Sequence, residues 1–483
     1  MGKSILKTCF SLIILIQISL TRLNAQAYFD SIPPKMEWFA NAKLGIFIHW
    51  GIYAVEGTSE SWSFHNRGKS YPFYMNQIKG FKAENYNPDQ WADLIKESGA
   101  RYVVITTQHH DGVALWNTKQ ITPNTLYNFK KGEPMRPGPK PLWNPKKPLS
   151  IPAQSPCKKD VISPFEKAIR ARGLKFGAYY SLLDWSHPHY NGFFKDESRY
   201  QLKDDTIRWN KFLKFMHAQI NEISQEFNPD LFWFDGDWEH SEEEWNAKKI
   251  ASDIRKKNPN AILNGRLKSY GDYHTPEQNM PVTRPESAVW ELCMTSNDNW
   301  GWRPDDTLMK TSNQVIRTFA ECLGMGGNLL IDIGPKSDGT ITAEQTQLLK
   351  DLGRWTKKHA EAIYSTRQGL PAGHFYGPTT LSLDSQTLYL YLTDTRKINN
   401  NSSSNTQTSI MLKGLRNEVL SAEVVGSNKP LQINEMGKIS WSSVPGTLFI
   451  DIPNTDLDEE VTVVKLKFKG AIKLYRGKGG FSD

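Results

Sequence analysis

Short unbroken apolar runs alternate, over roughly the first three quarters of the chain, with longer stretches in which apolar residues recur every third or fourth position. The runs are LGIFIH (44–49), YVVITTQ (102–108), KFGAYYS (175–181), DLFWF (230–234), AILNGR (261–266), VWELCM (289–294) and NLLIDIG (328–334). Brief and rich in β-branched and aromatic residues, they predict strands buried on both faces. Between them, residues 88–100, 165–173, 206–227, 311–324 and 343–363 carry the helical period, with Gly173 placed to end the second of these helices. Regular alternation of strand and helix predicts a parallel sheet. Seven strands are visible and an eighth is not. With no glycine-rich phosphate turn after the first strand, a (β/α)8-like (TIM-type) barrel with one weak strand fits better than an open doubly wound sheet. Beyond Arg367 the pattern changes to short alternating strands such as TLYLYLTD, TLFIDI and VTVVKLKFKG, with an Asn/Ser-rich loop at 399–405. That texture predicts a C-terminal β-sandwich.

The N-terminus changes the domain count. Lys3 and Lys7, an apolar stretch from Phe10 to Leu20, and Leu23, Asn24 and Ala25 before Gln26 have the layout of a signal peptide. The expected division is residues 1–25 as leader, 26–366 as the barrel-like catalytic domain and 367–483 as an accessory sandwich. A periplasmic or secreted location is expected. The leader is too short to span a membrane, and no other run approaches the roughly 20 apolar residues a span needs. Loss of the leader removes Lys3, Lys7 and Arg22 and no acid, so the net charge falls from +8 to +5. That mild excess comes with no nucleic-acid-binding signature. Cys157, Cys293 and Cys322 remain, with no spacing that sets a disulfide framework or a zinc site, although one pair has the option of bridging.

Candidate chemistry gathers at the strand ends. The fourth run, DLFWFDGDWEH (230–240), delivers Asp235 where a barrel of this kind places its active site; taken by itself, Asp235 with Gly236 is equally an ordinary turn. The other ends carry His49, the adjacent His109 and His110, Tyr179 and Tyr180, Arg266 with Glu277 in the following GDYHTPEQ loop, and Glu291 followed by Trp300. Together they supply acids, imidazoles, a guanidinium and aromatic walls. That set suits a sugar, and a carboxylate pair suits glycoside cleavage. A metal-dependent barrel hydrolase is the competing reading, because His49, His109, His110 and Asp235 are all possible zinc ligands. Against it, adjacent histidines on a strand are expected to face opposite ways. A sugar-binding protein without turnover is a third reading.

Seven stretches, in order, resemble signatures of the retaining α-L-fucosidases of glycoside hydrolase family 29: KLGIFIHWGIYAV, TTQHHDG, YYSLLDW, LFWFDGDW, YHTPEQ, VWELCMTS followed by WGW, and GGNLLIDIGPKSDG. The resemblance covers residues 38–364. It implies an exo-acting enzyme that releases terminal α-L-fucose through a covalent intermediate, with no metal and no organic cofactor. By the same resemblance Asp235 is the nucleophile and Glu277 the acid/base, with Glu291 as runner-up. It assigns His49, His109, His110, Tyr180, Arg266 and Trp300 to the sugar. Glu60 and Trp62 are carried as contacts although Glu60-Ser61-Trp62-Ser63 departs from the family's usual Glu-Trp-Tyr. A related α-L-galactosidase remains the nearest alternative activity. The expected partner is a carbohydrate. A Pro-rich insertion bearing Lys130, Lys131, Arg136, Lys140, Lys146, Lys147, Lys158 and Lys159 against Glu133 and Asp160 either attracts anionic or sulfated fucose polymers or is simply a solvated loop.

Overall fold

The computed structural model describes residues 32–123, 142–393, 407–427 and 429–477, together with the backbone of 127–128 and 136–137. The leader, the Asn/Ser-rich loop, Lys130, Lys131, Glu133, Lys140 and the side chain of Arg136 lie outside the described residues. Seven parallel strands form one sheet: β1 (Leu44–Ile48), β2 (Tyr102–Gln108), β3 (Lys175–Ser181), β4 (Leu231–Asp235), β5 (Ile262–Leu263), β6 (Glu291–Thr295) and β7 (Asn328–Ile333), in the order β6-β7-β1-β2-β3-β4-β5. The connecting helices include α1 (Pro88–Glu97), α2 (Ile162–Ala171), α3 (Thr206–Glu226), α4 (Ala247–Lys257), α5 (Ser312–Gly324) and α6 (Ala343–Lys358). Local chemistry sets where they start. The Asn87 side chain accepts from the Asp89 and Gln90 N–H groups with Pro88 in the first turn, and Thr311 with Gln314 forms a capping box.

The eighth stave is present but irregular. Residues 273–277 run parallel between β5 and β6 through isolated pairings: Asn264 with Tyr273 on one side, and His274 with Trp290 and Glu277 with Cys293 on the other. Backbone bonds from Glu291 N–H to His274 O (3.0 Å), from Cys293 N–H to Pro276 O (3.1 Å) and from Gln278 N–H to Cys293 O (2.8 Å) close the ring. Pro276 has no N–H to give a ladder, which is why this stave carries no strand signal in the sequence.

Parallel partners share a face, so the register sorts the side chains. Tyr179 lies opposite Trp233 and Ser181 opposite Asp235, while Cys293 pairs Leu330 and Thr295 pairs Asp332. Phe47, Tyr102, Tyr179, Leu231, Trp233, Ile262, Cys293 and Leu330 fill the barrel interior. Ile46, Ile48, Ala178, Tyr180, Phe232 and Phe234 pack instead in the layer shared with the helices. A short helix, Glu37–Ala42, plugs the amino-terminal end of the barrel with Phe39, Ala40 and Ala42.

After α6 come two antiparallel sheets, as expected from the alternating strands. Thr366–Gln368 (β8), Thr379–Ser382 (β9), Thr387–Leu392 (β10), Val419–Val424 (β12) and Thr462–Phe468 (β15) form one, in the order β8-β9-β10-β15-β12. Gln407–Leu412 (β11), Gln432–Met436 (β13) and Thr447–Pro453 (β14) form the other, in the order β11-β14-β13. Leu388, Leu390, Ile450, Ile452 and Leu466 fill the core between them. Among the described residues no helix is long and apolar enough to cross a membrane.

Candidate active site

At the carboxyl ends of the barrel strands lies a pocket of about 120 Å3 lined by Phe47, His49, Trp62, His109, Tyr179, Trp233, Asp235, Trp238, Arg266, Glu277 and Trp300. Asp235 is the last residue of β4, in phase with Trp233 and Leu231, so its carboxyl points inward. Gly236 then turns the chain at φ +87°, where a Cβ would meet Leu183 at 2.3 Å, a place only glycine fills. Tyr179 O–H donates to Asp235 Oδ2 at 2.9 Å, and Arg266 Nη1 donates to Oδ1 at 2.9 Å. The other prong of the guanidinium, Nη2, donates to Glu277 Oε2 at 2.6 Å. Arg266 itself lies over the Trp233 ring, 4.5 Å from its centroid. Burial works against its charge, but Asp235, with Cys293 and Glu277, outweighs that cost and keeps it protonated.

His49 and His109 line this pocket, and His110, buried and not among the lining residues, stands beside Asp235. His109 and His110 follow the end of β2, whose register slips between Thr106 and Gln108, and their rings lie 4.2 Å apart. The expectation that adjacent histidines face opposite ways is therefore corrected: both lie beyond the regular strand, where the two-residue alternation no longer applies. Burial pushes all three imidazoles well below the ordinary range; neighbouring histidines add to this, His109 beside His49, His110 beside His109, and His65 and His49 beside His110. His49 Nδ1 lies 2.7 Å from Asp332 Oδ1, and burial, with Glu60 second, raises that carboxyl well above its usual value. His109 Nδ1 lies 2.5 Å from Ser61 Oγ. Ser181 Oγ fixes the tautomer of His110. The hydroxyl gives its one proton to Leu183 O at 2.7 Å, so the 2.6 Å contact with His110 has Nδ1–H as donor. Nε2 of this neutral ring is left as an acceptor, 3.7 Å from Asp235 Oδ2, and the contact is not an ion pair.

Glu277 stands on the eighth stave, not on a free loop, with its side chain 40% exposed at the pocket edge. Glu291 is elsewhere. It opens β6 rather than ending it, so it sits in a lower layer of the barrel, fully buried, accepting from Trp233 Nε1 at 3.0 Å, from Tyr273 O–H at 3.4 Å and from Tyr102 O–H. Burial pushes its carboxyl up to about 7 against those three donors. The runner-up acid is thus corrected to a support beneath Trp233, the ring on which Arg266 rests.

Two further assignments change. Tyr180 faces the helices and donates to Gln219 Oε1 at 2.8 Å on α3; its neighbour Tyr179 occupies the pocket. Glu60 is buried outside the pocket and accepts from Gly301 N–H at 2.6 Å, holding the turn that carries Trp300; burial, opposed by that hydrogen bond, pushes its carboxyl up to about 7. Trp62 and Trp300 do line the pocket. Trp300 lies 4.9 Å from the His49 ring, and Trp62 meets His110 edge-on at 5.3 Å and stacks at 6.4 Å with Trp238, half of which is exposed. Phe47, Trp233 and Asp332 were not anticipated. For Asp332 a signal existed, a lone acid inside the apolar run NLLIDIG. Among the described residues no group of three or more His, Cys, Asp or Glu is arranged to hold a metal ion.

A family model described as Alpha-L-fucosidase matches residues 21–361. An α-L-fucosidase from Branchiostoma floridae is 30% identical over 69% of this chain and 73% of its own length, and the tissue α-L-fucosidase of Bos taurus is 29% identical over 69% and 70%. Among solved structures, α-L-fucosidase isoenzyme 1 from Paenibacillus thiaminolyticus superposes with a TM-score of 0.74 at 27% identity, over 90% of this chain and 99% of that one.

Proposed function

Since the chain belongs to the α-L-fucosidase family, we propose that the barrel pocket releases terminal α-L-fucose with retention of configuration, Asp235 serving as nucleophile and Glu277 as acid/base. The observation that carries this reading is the single guanidinium of Arg266 bonded to both carboxyls, one on each prong. It joins an inward acid to a more exposed one at close range, as a double displacement needs with carboxyls about 5 to 5.5 Å apart. In the first step an Asp235 oxygen bonds to the anomeric carbon as the glycosidic bond breaks, and Glu277 gives its proton to the departing oxygen. In the second, water attacks the same carbon, Glu277 takes its proton, and the Asp235 ester bond breaks.

Around that centre the neutral His110 Nε2 accepts a sugar hydroxyl, His49 and His109 bind others, and Trp300 with Phe47 covers the apolar side of the ring. A pocket of about 120 Å3 suits one sugar ring, in keeping with exo action. The proposed division is a leader at 1–25, a catalytic region at 26–366 and an accessory sandwich at 367–483, with export to the periplasm or medium. Exposed Lys146, Lys147, Lys158 and Lys159 support attraction of anionic fucose polymers; added salt then slows hydrolysis of charged fucosides more than of neutral ones, and an equal effect removes that part of the reading.

The test follows the product of an aryl α-L-fucoside by NMR. The α anomer is expected first, no turnover in Asp235→Asn, and no change with EDTA. Glu277→Ala is expected to slow natural linkages about 10²- to 10⁴-fold, to spare an activated aryl fucoside, and to give the retained fucosyl azide with azide present. Faster cleavage of the matching α-L-galactoside would transfer the reading to that sugar, and the Glu277 pattern appearing in Glu291→Ala instead would sink the acid/base assignment.

A further inference from the structure

At the opposite end of the barrel, against the first residues of the sandwich, lies a second cavity of about 450 Å3, lined among others by Lys43, Glu37, Arg284, Arg367, Gln368 and Ser385. Its charges do not balance. Arg367 pairs with Glu37 and donates to Asn41 Oδ1 at 2.7 Å. Arg284 spends Nη1 on Gln368 Oε1 (2.8 Å) and Nη2 on Ala288 O (3.2 Å), while its buried Nε has no partner. Lys43, between the plug helix and β1, is only 1% exposed, and among the described residues its ammonium makes no hydrogen bond or ion pair. It also holds φ at +62°, a backbone region that a lysine seldom adopts.

An ammonium in such a place is costly unless an anion meets it. Burial, with Arg367 and Arg284 beside it, lowers Lys43 to about 7, and Glu37, already paired with Arg367, offsets only part of that. The fucosidase chemistry uses none of these residues. We propose that this cavity binds an oxyanion, sulfate or phosphate, held by Lys43 and Arg284, either as the free ion or as the ester of a sugar. The unpartnered Lys43 ammonium beside the Arg284 guanidinium matches an anion with several oxygens, and a cavity larger than one such ion leaves room for the group that carries an ester.

The test is thermal unfolding and calorimetric titration of the full chain with sodium sulfate, sodium phosphate and a sulfated monosaccharide, each against sodium chloride at equal ionic strength. A saturable rise in melting temperature beyond chloride is expected, because a ligand that binds only the folded state stabilises it by mass action. Affinity is expected to fall at least tenfold in both Lys43→Met and Arg284→Gln, with hydrolysis of an aryl α-L-fucoside retained. Binding of the inorganic ions and not the sulfated sugar assigns the free anion; tighter binding of the sugar assigns the ester. No effect beyond chloride, or equal affinity in wild type and both variants, overturns the proposal whether or not the enzyme is a fucosidase.

Discussion

Tyr179 and Tyr180 are adjacent, equally buried and chemically identical, yet their expected effects differ. Tyr179→Phe removes a buried hydrogen bond to the carboxylate assigned as nucleophile, so kcat/KM is expected to fall roughly 10- to 100-fold, together with about 1.5 to 3 kcal/mol of stability. Tyr180→Phe strands Gln219 and is expected to lower stability by about 1 kcal/mol while leaving kinetics unchanged. Steady-state rates and melts of the two variants decide it, and the reverse pattern would return Tyr180 to the pocket. Glu291 provides a pH signature. Its proton stays bound in the folded protein up to about pH 7, whereas the unfolded chain releases it near 4.5. Between those values the folded state binds more protons, so this group's contribution is complete below 4.5 and is lost as pH rises to about 7, on the order of 3 kcal/mol. The neutral histidines act oppositely, gaining stability as pH rises to 6.5. The clean measurement is therefore the difference between wild type and Glu291→Gln, which lacks the titration. The variant is expected to gain on wild type between pH 4.5 and 8, and a constant gap in melting temperature contradicts the assignment.

Strand β5 is only two residues long, and what continues its pairing with β4 is a side chain. Asn264 Oδ1 accepts from Phe234 N–H and its Nδ2 donates to Phe234 O, both at 2.8 Å, immediately before Asp235. Asn264→Ala leaves two buried backbone groups unpaired, at about 1 to 3 kcal/mol each. A marked fall in melting temperature is expected together with a loss in kcat, because the backbone that aims the nucleophile is no longer fixed. Full activity in a destabilised variant would show that the strand end is positioned by other contacts.

The sandwich and the barrel share buried surface. One face of β10 gives Leu388, Leu390 and Leu392 to the sandwich core, while Tyr389 and Tyr391 join the core of the barrel and its helices, along with Val461 and Val463. Trp355 of α6 donates to Val461 O at 2.8 Å, and Lys358 pairs with Asp458 at 2.7 Å. An apolar interface of this kind couples the two parts. The full chain is expected to unfold in one calorimetric transition, and a chain ended at residue 366 to be recovered insoluble; two separable transitions, or a soluble active truncation, would make the sandwich an independent unit.

The pattern of residues was sufficient for the order and type of the elements, the parallel sheet, the sandwich strands and the delivery of Asp235, His49, Arg266 and Glu277 to one end of the barrel. Run length, helical period and capping residues are local properties, and a polar residue at the end of an apolar run declares itself. Three things needed the tertiary structure. A strand buried on both faces has no alternation, so nothing in KFGAYYS says whether Tyr179 or Tyr180 points inward; the register against Trp233 decides it. The depth of Glu291 turned on where β6 begins within its apolar run. The eighth stave, at 273–277, is held by bonds to residues before and after it in the chain and contains a proline, so its place in the barrel exists only once β5 and β6 are already there to receive it.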